Sequence, residues 1–140
     1  MYKLDMSQAI QKQLIFAVLD DFCPNGALSN FFGGQYGNNQ EKWALAVIDF
    51  IYNAMGLDLI APMQCLHEFE KLSTDEVRAL LVRSRAGPNL EKDEDLAWDI
   101  LYLCGTEKLR LAAEKFDLSH WEALNQPVNE QFFDYINTST

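Results

Sequence analysis

The chain has 140 residues, 49% of them hydrophobic, with 21 acids against 11 bases and a formal net charge of -10. That length suits one domain with a real core, since a domain of about 150 residues hides roughly two-thirds of its unfolded surface. The charge argues against nucleic acid and anionic membranes as direct partners, because those are bound mainly by Lys and Arg neutralising phosphates; it either steers basic partners at long range or serves solubility alone.

In chain order, MYKLDMSQAI lacks a basic segment followed by an apolar one, and no apolar run approaches the roughly 20 residues that span a bilayer, so neither leader nor anchor is expected. From Ser7 to Phe22, Ile10, Leu14, Ala17, Val18 and Phe22 recur at three- and four-residue steps and predict a first helix. Cys23 to Asn39 has no such period. It holds four of the seven glycines and the stretch NFFGGQYGNN, a connection longer than usual and for that reason more often functional or mobile than an ordinary loop. Gln40 to Met55 is the clearest helix, with Asn39 as N-cap, a stripe from Trp43 through Val47 and Ile51 to Met55, and Gly56 expected at the left-handed C′ position. Pro62 suits the first turn of a short helix running to Phe69. Ser73 and Glu76 make a capping box for the next helix, which ends before Gly87 and Pro88. Glu91 to Cys104 is read as one helix stopped by Gly105, Thr106 caps another from Glu107 to Phe116, and two short helices close the chain near His120 and from Asn129 to Ile136. With no hairpin signal, the expected fold class is all-α, a compact single-domain bundle of about six to eight helices with one long Gly/Asn/aromatic loop.

Two segments are candidate contact surfaces. In the loop, Gly37 is followed by Asn38 rather than by a lysine and a hydroxyl, and GGQYG follows no strand, so neither phosphate-binding pattern is present. Phe31 and Phe32 can fold back into the core, or Phe31 and Tyr36 can be displayed as anchors, with Tyr36 the preferred exposed member. The second segment is EKDEDLAWDILY, where Glu91, Asp95 and Asp99 share a helical face beside Trp98 and Tyr102. Acids in a first helical turn favour the dipole, which explains the start of this run but not Asp99. The segment lacks the glycine of a calcium loop.

Catalytic signals are few. Lys71 breaks the HExxH pattern begun by His67 and Glu68, Cys65 and His67 point to different sides of a helix, and His120 stands alone. Arg78, Arg83 and Arg85 lie where a helix C-terminus attracts cations. Cys23, Cys65 and Cys104 have neither disulfide-framework nor zinc spacing, which suits a reducing cytoplasm. No catalytic residue, metal or cofactor is expected.

A short, strongly acidic, helical chain without a catalytic signature resembles the small immunity proteins that bacteria make against their own secreted or contact-delivered toxins, many of which are basic nucleases. The resemblance is one of overall character along the whole chain, with no motif, so no family residue is carried over. It implies a stoichiometric inhibitor that covers a toxin's active site with acidic and aromatic groups. Phe31, Tyr36, Glu91, Asp95, Trp98, Asp99 and Tyr102 are the candidate contacts. An acidic helical adaptor without inhibitory activity is the alternative.

Overall fold

A computed structural model describes residues 2–29, 31, 33–63, 71–84 and 96–138, and helices dominate them. Helix α1 spans Tyr2–Leu19 and buries Leu14, Ile15 and Ala17. It stops short of Phe22, which was expected on its stripe. Phe22 instead exchanges two backbone hydrogen bonds with Leu103, at 2.9 and 2.8 Å, and a helical residue has no backbone groups to spare for such a pairing.

Helix α2, Gln40–Gly56, begins as its cap residue dictates, with the Asn39 side chain accepting the Lys42 N–H at 3.2 Å. Its end differs from the expectation at Gly56. The left-handed residue is Asp58, at φ 59°, and the Leu59 and Asp58 N–H groups return to the carbonyls of Ala54 and Met55, the double bond of a Schellman motif. The buried Leu59 completes it. Helix α5, Glu107–Lys115, closes in the same way, with Asp117 at φ 56° and Leu118 bonded back to Ala113. Asp tolerates this conformation better than most side chains, and each Asp-Leu pair couples a helix stop to a core contact.

Helix α3, Thr74–Ser84, carries the expected capping box. Ser73 N–H donates to Glu76 Oε1 at 2.9 Å, and Glu76 N–H donates to Ser73 Oγ at 3.2 Å. At α5 the Thr106 side chain accepts the Leu109 N–H and donates to the Asp58 carbonyl at 2.6 Å, joining the start of α5 to the end of α2. Helix α6, Glu130–Thr138, is capped by Asn129, whose side chain accepts the Phe132 N–H at 3.0 Å.

Two sequence expectations fail together. Pro62 opens no helix but ends strand β1, Ile60–Pro62, and the helix expected from Glu91 to Cys104 is reduced, among the described residues, to α4, Ala97–Ile100. Leu103–Gly105 is strand β2, antiparallel to β1, with Ile60 opposite Gly105, Ala61 opposite Cys104 and Pro62 opposite Leu103. Leu103 spends its N–H and carbonyl on Phe22, so Pro62 faces it where no ladder bond is required and its missing N–H costs nothing. Gly105 is needed for a close approach, since a Cβ there would lie 3.0 Å from the Ala17 carbonyl oxygen of α1. The remainder of the expected helix from Pro62 to Phe69, and Gly87, lie outside the described residues. One hydrophobic cluster runs through all the helices, with Leu80, Leu101, Leu103, Leu109 and Phe132 among its fully buried members.

Candidate functional site

From Gly33 to Gly37 the glycine-rich loop forms a tight turn. Gly33 and Gly34 hold φ of 81° and 70°, and a Cβ on them would come within 2.9 Å of Gly37 Cα and 3.0 Å of the Ser29 carbonyl oxygen respectively. Only glycine fits both restraints. Backbone bonds from Phe31 to Leu28, Gly34 to Phe31 and Gly37 to Gly34 then wind the chain into short 3-10 turns, and Gln40 Nε2 donates to the Gln35 carbonyl at 2.7 Å. The turn at Gly34–Tyr36 lifts Tyr36 to 86% exposure. Phe31, by contrast, is buried at 6%. Of the two aromatic candidates in the loop, Tyr36 is displayed and Phe31 is core; Phe32 lies outside the described residues.

Trp43 anchors the start of this connection, and Trp98 packs against Trp43. Trp43 on α2 donates its indole N–H to the Ala27 carbonyl at 2.9 Å, and its ring meets Trp98 at 5.7 Å between centroids. Trp98 is itself buried and donates to the Leu81 carbonyl at 3.0 Å. The expectation that Trp98 faces a partner is therefore corrected: a large ring beside α2 and α3 gains more from burial than from display, and its one donor finds an acceptor inside. Asp99, the next residue, is exposed and accepts from Asn25 Nδ2 at 2.6 Å. That bond joins the loop to α4, so the two segments picked out from the sequence meet in one region through Pro24–Gly26, which packs on both α4 and Gly34–Tyr36. Tyr102 is 42% exposed, but beyond the end of α4 rather than on a continuing helical face. Glu91 and Asp95 lie outside the described residues, and with them the rest of the proposed acidic ladder.

Asn25 carries no local signal for its partner. It sits in PNG, which signals a turn but not the acid seventy-odd positions away that its amide holds. Exposed Trp121, packed edge-on against Phe16 at 5.9 Å, was likewise unmarked as a surface aromatic.

Several reactive side chains among the described residues have defined surroundings. Among the described residues Cys23 and Cys104 are free thiols; burial, and then the nearby Asp21 carboxylate, push the Cys104 thiol above its ordinary range and away from the reactive thiolate. His120 spans the Asp117 carbonyl at 2.9 Å and Glu122 at 3.2 Å, a local brace beside the end of α5. The Arg78 guanidinium lies 4.6 Å from the Tyr52 ring centre. No group of three or more His, Cys, Asp or Glu among the described residues could hold a metal ion, and no described helix is long and apolar enough to cross a membrane. Cys65, His67 and Arg85 lie outside the described residues. No family model, curated protein or solved structure matches this chain.

Proposed function

We propose that this chain is a single helical domain acting in the cytoplasm as a stoichiometric protein-binding inhibitor, an immunity protein that neutralises a basic toxin by covering its active site. The observation that carries the reading is the display of Tyr36. An ordered, glycine-constrained turn holds a large aromatic in solvent, where it buries nothing for its own fold, and pre-ordering lowers the entropy cost of using it as an anchor. Asp99 and Tyr102 supply acidic and aromatic neighbours in the segment that Asn25 ties to the loop. Glu91 and Asp95 extend the acidic character by sequence, and the net charge of -10 favours fast capture of a cation-rich surface. The protein acts by occupancy and not by turnover.

The test is binding to the toxin encoded beside this gene. Association should slow markedly as salt rises, because screening acts over roughly 8–10 Å at moderate ionic strength, while dissociation changes little. Tyr36→Ala should raise the dissociation rate, costing on the order of 2 kcal/mol, and Asp99→Lys should lower the association rate. Binding that ignores salt and both substitutions would refute the surface; binding without loss of toxin activity would leave an adaptor and not an inhibitor.

A further inference from the structure

Helix α1 buries two glutamines, and their amides are satisfied differently. Gln11 donates from Nε2 to the Pro127 carbonyl at 3.0 Å and accepts the Asn129 N–H at 2.7 Å, so both ends of its amide are used. Gln13, 7% exposed, accepts the Leu28 N–H through Oε1 at 2.9 Å. That bond identifies which end is oxygen, and it leaves the Nε2 group without an acceptor among the described residues. Buried donors are nearly always paired, so an orphan in a well-built region points to a missing acceptor.

Gln13 forms part of the wall of a cavity of about 260 Å³ whose other walls include Lys12, Phe16, Leu28 and Leu124. Lys12 is half-buried and has no carboxylate partner among the described residues, in a chain where acids outnumber bases 21 to 11. Among the described residues the cavity thus combines a cation without a carboxylate, an amide donor without an acceptor, and a mixed lining in which Phe16, Leu28 and Leu124 are apolar and Ser29 and Asn125 polar. A dry cavity of about 150 Å³ already admits benzene, so this one has room for a ring or short chain bearing a small polar head.

We propose that the cavity binds a small monocarboxylate with an aryl or short alkyl tail. One carboxylate oxygen accepts from Gln13 Nε2, the charge pairs with Lys12, and the tail lies on Phe16, Leu28 and Leu124. Among the described residues Lys12 is the one cation in this lining, which suits a monoanion better than a phosphate dianion. This site is independent of the inhibitor reading, and needs no toxin to test.

The experiment is a titration of the ¹⁵N-labelled protein with sodium 3-phenylpropionate into the millimolar range appropriate to so small a ligand, followed by amide NMR, with 3-phenylpropionamide as the uncharged comparator. Saturable shifts are expected at the Gln13 side-chain NH₂ and at the Leu28 and Leu124 amides, with the acid bound about tenfold more tightly than the amide, as a charge-assisted bond requires. Lys12→Met, a change at a half-exposed position, should leave the spectrum folded and remove that preference. Gln13→Glu keeps an acceptor for the Leu28 N–H but replaces the orphan donor by a carboxylate, and should abolish binding. Equal affinity for acid and amide, an unaltered preference in Lys12→Met, shifts scattered away from the cavity, or no saturable shift at all would each overturn the proposal.

Discussion

Trp98 offers the sharpest test of the fold, because a surface role and a core role for it differ by several kcal/mol. Its ring is 6% exposed, stacks obliquely on Trp43, and its N–H donates to the Leu81 carbonyl at 3.0 Å. Trp98→Ala would remove a large buried ring, and such truncations cost about 3–5 kcal/mol, a large share of the roughly 5–15 kcal/mol that keeps a domain folded. Trp98→Phe is the better perturbation, since it keeps an aromatic body and deletes the donor together with part of the volume. Losing the bond to the Leu81 carbonyl and part of the buried ring volume costs about 1–3 kcal/mol together. With a urea slope of about 2 kcal/mol/M, the unfolding midpoint should fall by roughly 0.5–1.5 M with the slope unchanged. Circular dichroism at the helical minimum is the assay, because it does not depend on the tryptophan being replaced. Tyr36→Ala is the control and should shift stability by less than about 0.5 kcal/mol. A midpoint for Trp98→Phe indistinguishable from the parent would refute the buried placement of this ring.

Gly34→Ala should destabilise the protein by at least about 1–2 kcal/mol, because φ of 70° and a contact of 3.0 Å to the Ser29 carbonyl both oppose a Cβ; a neutral result in urea unfolding would contradict the ordered turn. The hydrogen bonds from the Ser73 backbone and side chain hold the Glu76 carboxyl below its ordinary range, so its contribution to stability is present above the unfolded carboxyl value of about 4.3 and is lost as pH falls through the lower folded value. The stability difference between the parent and Glu76→Gln should therefore be visible at neutral pH and vanish in acid, and a difference that grew on acidification would show the sign to be wrong. Cys104, with its thiol pushed up by burial and Asp21, should be alkylated by iodoacetamide at pH 8 more slowly in the folded protein than in urea; equal rates would exclude the placement.

Local chemistry determined much of this protein. Caps at Asn39, Ser73–Glu76 and Thr106 act on N–H groups only three residues away, so their helix starts could be read directly from residue types. The inward stripe of α2 was legible for the same reason, as was the need for glycine somewhere in NFFGGQYGNN. What tertiary structure alone decided is where backbone groups distant in sequence find one another. Leu103 is claimed by Phe22 on one side and faces Pro62 on the other, and these pairings turn a segment that reads as helix into a strand. The same holds for the candidate site. Tyr36 and Trp98 are both aromatic residues among polar neighbours, and nothing within a few positions of either says that one stands in solvent while the other fills the space between Trp43 and Leu81. Gln13 lies on the apolar stripe between Ile10 and Ala17, which is a visible irregularity, but only the fold shows that the distant Leu28 takes its oxygen and that the other half of the amide has no acceptor among the described residues.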